Sequence, residues 1–173
     1  MTARRVALGA ATVLTALLLQ TTVLARLPLP GGAPDLLLVL VVAFALVEGP
    51  LSGTVTGFLA GLLLDLVGDH ELGRAALVLA VVGYAAGLLH DPSYGARDRS
   101  PLMPFLVVGL SAAAAVLLYA VEGVLLGDPR VTAGALARAA AGTVPYCVLL
   151  TPFVVPLVGV LVDRLDQDPL SRR

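Results

Sequence analysis

The chain has 173 residues, of which 58% are hydrophobic and only 13% are charged, and its mean hydropathy is +0.97. A soluble domain carries roughly 25% charged residues, so this composition excludes an ordinary soluble protein and indicates an integral membrane protein. The 11 basic residues, all arginine, are balanced by 12 acidic residues, which excludes a strongly basic surface for nucleic acid.

The first apolar run covers residues 6–25 and follows Arg4 and Arg5. About 20 apolar residues are enough to cross a bilayer core as a helix. The end of this run, Val23-Leu24-Ala25, would suit cleavage of a secretory signal. The run is nevertheless longer than the roughly 7–15 residues of a signal core, so we expect a retained membrane anchor.

Residues 36–67 contain two apolar runs separated by Glu48, Gly49 and Pro50. Residues 26–35 precede them and contain three prolines and two glycines, which predicts a loop. The first run, residues 36–47, is about 18 Å long as a helix, which is short for a membrane span. The sequence leaves open two short tilted helices or a re-entrant hairpin, and we favour two helices.

The second half of the chain alternates polar turns with further apolar segments. A turn at residues 68–74 leads to a span at 75–89, and the polar stretch 90–100 leads to a span at 101–126. Residues 131–141 are rich in alanine and contain Arg138, which predicts an interfacial helix. The last span, residues 142–162, should be kinked by Pro145, Pro152 and Pro156.

We therefore predict an all-α polytopic membrane protein, a compact bundle of about six transmembrane helices. Residues 1–173 form a single membrane domain that ends in a short polar tail at 163–173. If both termini are cytoplasmic, seven arginines lie inside and four outside, which follows the positive-inside rule. The inside set is Arg4, Arg5, Arg97, Arg99, Arg164, Arg172 and Arg173, and the outside set is Arg26, Arg74, Arg130 and Arg138.

A series of small residues runs through the second and third apolar segments. Gly49, Gly53, Gly57 and Gly61 recur at intervals of four, and Asp65 continues the series. Each glycine inside a helix costs about 1 kcal/mol relative to alanine. Positions four apart share one ridge, where missing side chains let another backbone approach closely. This glycine stripe, together with Asp65, is the candidate site, either for packing a helix of the same chain or for binding a partner.

Three acidic residues lie near the ends of apolar runs. Asp65 would cost about 2.5–3.5 kcal/mol at the middle of the membrane, so it must lie near the interface or face a polar partner. Its place near the end of its helix favours the interface over a buried ion pair or a proton relay. Glu48 and Glu122 present the same alternatives, and no arginine lies well inside a span to pair with them.

Short motifs between residues 34 and 89 form a recognisable pattern. They are Pro34-Asp35 before the second apolar run, Gly57-Phe58, Gly61-Leu62 and Asp65 in the third, and Leu72-Gly73 and Gly83-Tyr84 around the fourth. This pattern resembles that of the rod shape-determining MreD family. The chain length, the number of spans and the arginines before the first span also suit that family.

The resemblance implies a multi-pass protein of the bacterial cytoplasmic membrane that belongs to the elongasome, the machine that directs peptidoglycan synthesis along the side wall. The partners it implies are an MreC-like protein, together with RodA, a class B penicillin-binding transpeptidase and MreB, and it leaves self-association open. It also implies a fold similar to the substrate-binding subunits of energy-coupling-factor transporters. It brings no catalytic residues.

The residues themselves show no converging chemistry. His70 and His90 lie in different loops on opposite predicted faces of the membrane, so we expect no shared metal or acid–base site. Cys147 is the single cysteine and is expected to be a small buried hydrophobic residue. We therefore predict a non-enzymatic membrane adaptor without cofactor or metal, which contacts lipid and proteins but no nucleic acid.

The main alternative is a substrate-capture subunit of an energy-coupling-factor transporter, which would share the size, the span count and the small-residue stripes. Such a subunit needs a polar pocket under its outer loops, and the predicted outer loops 26–35 and 68–74 are short. The dispersed aromatic residues Phe44, Phe58 and Tyr84 also argue against a stacking pocket. A weaker alternative is an intramembrane enzyme that uses the acidic residues.

Overall fold

The computed structural model describes residues 3–26, 34–68, 72–90, 102–128 and 130–166. This part of the chain contains six α-helices, one short 3-10 helix and no β-strand. The α-helices are α1 (Ala3–Thr22), α2 (Leu36–Glu48), α3 (Pro50–Val67), α4 (Arg74–Gly87), α5 (Met103–Leu125) and α6 (Ala133–Asp166), and the 3-10 helix is Leu24–Arg26. Residues 91–100 of the predicted polar stretch 90–100, His70, and residues 167–173 of the predicted tail 163–173 lie outside the described residues.

Helix α2 lies at the centre of the bundle. Its sequence is apolar on every side, which is the pattern of a helix that is buried all round. Every residue from Leu37 to Leu46 is buried, and α2 contacts each of the other five α-helices. Its 13 residues therefore form a core helix, which explains why this run is shorter than an ordinary lipid-facing span.

Two polar side chains cap the start of α2. Asp35 Oδ1 accepts a hydrogen bond from the Leu38 N–H at 3.0 Å, and Gln20 Oε1, near the end of α1, accepts one from the Leu37 N–H at 2.9 Å. These bonds satisfy two of the N–H groups that have no partner within the helix. Asp35 of the Pro34-Asp35 motif therefore fixes where the central helix begins.

Gly49 separates α2 from α3. Its φ of +94° lies in a region that side chains rarely adopt, and Pro50 follows as the first residue of α3. Helix α2 starts beside Gln20 of α1, and its other end contacts His90, just beyond α4. Residues 36–67 therefore form two separate helices, α2 and α3.

Helix α6 differs most from the predicted elements. The sequence predicts a separate interfacial helix at residues 131–141, but the structure has one continuous helix from Ala133 to Asp166. The alanines of the predicted interfacial segment are strong helix formers, and nothing after them stops the helix before the last span begins. Pro145, Pro152 and Pro156 all lie inside α6, which also includes the first residues of the predicted tail.

The outer surface of the bundle is apolar. Large hydrophobic side chains are exposed on all helices except α2, for example Leu51, Leu125 and Phe153 at 74%, 80% and 71% exposure. By length and composition, Pro50–Val67, Met103–Leu125 and Ala133–Arg164 can cross a membrane, while Ala7–Thr22, Leu36–Glu48 and Arg74–Gly87 are shorter apolar helices. Exposed apolar surface of this extent, on helices long enough to span a bilayer, is typical of a membrane protein. The predicted fold class, a helical membrane bundle, is confirmed.

Candidate functional site

The glycine stripe packs against α4. A Cβ atom added to any of the three glycines inside α3 would lie less than 3.0 Å from backbone atoms of α4, a separation that real Cβ atoms essentially never show. The three pairs are Gly53 with Gly83, Gly57 with Leu79 and Gly61 with Ala75. The missing side chains therefore let the two backbones touch, and within this chain the neighbour of the stripe is α4.

Helix α4 carries a matching series of positions. Ala75, Leu79, Gly83 and Gly87 also recur at intervals of four, and each step forward along α3 pairs with a step back along α4. A Cβ atom on Gly83 would meet the carbonyl group of Gly53, and one on Gly87 would meet Pro50. Two antiparallel ridges thus interlock along most of α3. This second series can be read in the sequence, where Gly83 also belongs to the family motif.

Asp65 caps the start of α4. Its Oδ2 accepts hydrogen bonds from the N–H groups of Gly73 at 2.9 Å and Ala76 at 3.2 Å, and its Oδ1 accepts one from Ala75 at 3.0 Å. Gly73, which precedes α4, has no side chain to serve as a cap. Asp65 therefore supplies from α3 the acceptor that a helix N-cap residue normally provides, and its charge lies at the favourable end of the helix dipole.

Asp65 lies near the end of its helix and is buried, at 3% exposure, so the sequence requirement for a polar partner applies to it. The polar partner is the backbone of α4. The cationic side chains in the sequence give no sign of this partner, because the three donors are main-chain N–H groups. The available signal was the glycine at position 73, which leaves a helix start without its own cap.

Arg74 joins α4 to α5. Its Nη2 donates a hydrogen bond to the Tyr119 carbonyl oxygen at 3.1 Å, and its Nε lies 3.5 Å from Glu122 Oε2. The guanidinium carbon also lies 5.8 Å from the centre of the Tyr119 ring. The sequence shows no arginine well inside a span, but the long side chain of Arg74 reaches Glu122 from the start of the neighbouring helix.

Glu48 lies at the other end of α3. The Ser52 hydroxyl donates a hydrogen bond to the Glu48 carboxylate, and His90 Nδ1 lies 2.9 Å from the Leu46 carbonyl oxygen. Roughly 25 Å of helix separates Glu48 from Asp65. The structure therefore does not bring these two carboxylates into one site, and each takes part in the local packing of its own end of the bundle.

The Asp65 end of the bundle also contains a cavity of about 450 Å³, lined by Asp65, Arg74, Tyr119, Asp128 and Arg130 among others. Asp65 is bonded to α4, Arg74 to α5, and Asp128 Oδ1 accepts a hydrogen bond from the Arg130 N–H. The polar groups of this cavity thus hold the protein together. Within the described ranges, no group of three His, Cys, Asp or Glu side chains is arranged to hold a metal ion.

Comparison with protein-family models identifies the family of this chain. The family model described as rod shape-determining protein MreD matches residues 3–125. The chain belongs to the MreD family. The match runs from α1 to the end of α5, so it contains the whole interface between α3 and α4, whereas α6 (Ala133–Asp166) lies beyond it. Comparisons with curated proteins and with solved structures gave no match.

The family resemblance drawn from the sequence motifs is therefore confirmed. The chain is a membrane protein of a family that determines rod shape. The motif residues Gly57, Gly61, Asp65 and Gly83 all lie within the matched range, and all four lie at the interface between α3 and α4. The glycine and aspartate positions of the MreD motif thus have a packing role in this structure.

Proposed function

We propose that this MreD-family protein is a non-enzymatic adaptor of the elongasome. It lies in the bacterial cytoplasmic membrane, binds an MreC-like protein and supports peptidoglycan synthesis along the side wall. The MreD match over residues 3–125 carries this proposal. The contacts support it, because the buried acid Asp65 and the pair of Arg74 and Glu122 hold helices together.

The partner surface in this proposal is an outward face of the bundle. The glycine stripe is covered by α4 along Gly53, Gly57 and Gly61, so a partner helix has no access to it in the folded chain. The interface between α3 and α4 instead gives the bundle a fixed shape. A bundle of fixed shape loses less conformational entropy when it binds a partner, which suits an adaptor.

We also propose that both termini face the cytoplasm, as the distribution of arginines predicts. In this orientation the ends of α3 and α4 that meet at Asp65 face outward, and the end that contains Glu48 and His90 faces the cytoplasm. We further propose that this protein works in the elongasome together with RodA, a class B penicillin-binding transpeptidase and MreB.

Depletion of the protein from its own host tests the cellular role. Cells are labelled with a fluorescent D-amino acid, and side-wall incorporation is compared before depletion, after depletion and after re-expression of the wild-type chain. The proposal predicts that side-wall labelling falls on depletion and returns on re-expression, because the synthetic machine loses and regains its adaptor. An unchanged pattern and rate of side-wall labelling after complete depletion would contradict it.

A further inference from the structure

One side of the bundle contains an apolar groove that no part of the described chain fills. It has a volume of about 650 Å³ and lies between α1, α2, α3 and α6. Its walls include Leu14 of α1, Phe44 of α2, Val55 and Leu59 of α3 and Leu161 of α6. Leu14, Val55 and Leu59 are 47%, 43% and 49% exposed, so the groove is open on its outer side.

Polar groups occur at one end of this groove. Glu48, Ser52 and His90 line it there, while the remainder of the lining is mostly aliphatic. Ser52 donates to the Glu48 carboxylate, and His90 Nδ1 is held at the Leu46 carbonyl oxygen. Glu48 is only partly buried, so its carboxylate can still meet a charged group from outside the chain.

The groove walls also contain small side chains. They include Gly9 and Ala10 of α1 and Ser52 and Thr56 of α3. A Cβ atom added to Gly9 would meet nothing within 4 Å, in contrast to the glycines that face α4. Small residues let helices approach closely in lipid. On the α3 side the lining runs from Leu51 to Leu63, about 18 Å of helix, which is more than half of a bilayer core of about 30 Å.

We propose that this groove receives the transmembrane helix of the MreC-like partner, an apolar helix with a lysine or arginine beside Glu48. The inference rests on the proposed function and on the cytoplasmic placement of the termini. A bitopic membrane protein carries its basic residues at the cytoplasmic end of its helix, and Glu48 lies at that end of the groove. Opposite charges then fix the depth and direction in which the helix docks.

Disulfide cross-linking tests the groove directly. Cys147 is changed to alanine, and single cysteines are introduced as Val55→Cys or Leu59→Cys in the groove. Leu110→Cys and Leu117→Cys on α5 serve as matched controls, since these positions are 62% and 55% exposed and do not line the groove. Each variant is co-expressed with an MreC-like partner that carries one cysteine at successive positions of its helix, and the pair is copurified and oxidised.

The groove predicts mixed disulfides from Val55→Cys and Leu59→Cys, with a maximum every three to four positions along the partner helix. No mixed disulfide should form from the control cysteines on α5. A copurifying pair without groove cross-links would overturn the inference and leave the adaptor proposal standing. A wild-type pair that fails to copurify would overturn both, and disulfides between two copies of this chain through the groove would assign it to self-association instead.

Neutralisation and reversal of the charge at Glu48 test the proposed direction of docking. A partly exposed ion pair contributes little, so Glu48→Gln should lower partner retention by about two- to fivefold. Glu48→Arg should lower it further, and reversal of the partner's flanking basic residue to glutamate should restore it. Asp163→Asn on the exposed end of α6 is the control and should change nothing. Retention that is insensitive to all Glu48 variants would overturn the pairing.

Discussion

Gly53 of α3 and Gly83 of α4 face each other so closely that a Cβ atom added to either would collide with the carbonyl group of the other. This contact is reciprocal, and close backbone contacts recur at the next two helical turns, where Gly57 lies beside Leu79 and Gly61 beside Ala75. The interface ends at Asp65, which binds the first N–H groups of α4. The glycine stripe and the aspartate are thus parts of one contact between two antiparallel helices.

Substitution of Gly57 by alanine should destabilise the protein. The added methyl group would lie less than 3.0 Å from the backbone at Leu79, so the helices must separate. Overpacking of this kind costs about 1–3 kcal/mol. The measurement is the free energy of unfolding in detergent, with Gly159→Ala in α6 as control, because a Cβ atom there meets nothing within 4 Å. Equal stability of the two variants would contradict the close contact.

Replacement of Asp65 by asparagine should also destabilise the protein. The carboxylate accepts three hydrogen bonds from N–H groups through its two oxygens. Asparagine has only one acceptor oxygen, and its NH2 group would face at least one of these N–H donors. The expected loss is about 1–3 kcal/mol, with faster hydrogen exchange at the Ala75 and Ala76 amides. Asp163→Asn, at an exposed position, is the control. Unchanged exchange at those two amides would show that Asp65 does not cap α4.

Arg74 and Glu122 should behave as a coupled pair. Arg74→Leu leaves the Glu122 carboxylate without its cation, and Glu122→Leu leaves the guanidinium without its anion, in a site where the side chains are 22% and 17% exposed. Removing one partner of a largely buried ion pair leaves the other charge uncompensated. The single substitutions should therefore destabilise the protein more than replacement of both residues together. A double-mutant cycle on the free energy of unfolding should give a coupling of about 0.5–3 kcal/mol. Strict additivity would contradict the pairing.

Cys147 should report unfolding. The side chain is fully buried within the bundle, and its Sγ lies 3.7 Å from the Asp35 carbonyl oxygen. A thiol-reactive fluorogenic maleimide should therefore react slowly with the folded protein and rapidly once heating opens the bundle. Asp163→Cys, at an exposed position near the end of α6, is the comparison and should react at once. Immediate reaction of Cys147 in the native protein would show that this core is not closed.

The sequence predicts much of this fold because its signals are local. Prolines and glycines around the central helix mark where α2 and α3 begin and end, and the predicted and observed bounds differ there by about one residue, within the usual uncertainty of helix ends. The four-residue spacing of the glycines likewise indicates a close helix contact. The spacing does not name the neighbour, because α4 becomes adjacent only when the chain folds.

Other features depend on contacts that a sequence does not display. Asp65 is bonded to main-chain groups, which have no letter in the sequence, and Arg74 reaches Glu122 across 48 positions of chain. Helix α6 is longer than predicted because alanines continue a helix whenever no residue ends it. The apolar groove is also invisible in the sequence, since its walls come from four separate helices.

Copurification with the cognate MreC-like protein tests the adaptor role most directly. The two proteins are co-expressed, extracted in mild detergent and purified through a tag on the MreC-like protein, with an unrelated single-span membrane protein at matched expression as control. Protection of Cys147 from maleimide shows that the chain is folded during the assay. We expect the MreC-like protein to retain the folded chain and the control protein not to retain it. Equal recovery with both, or recovery with neither, would contradict it.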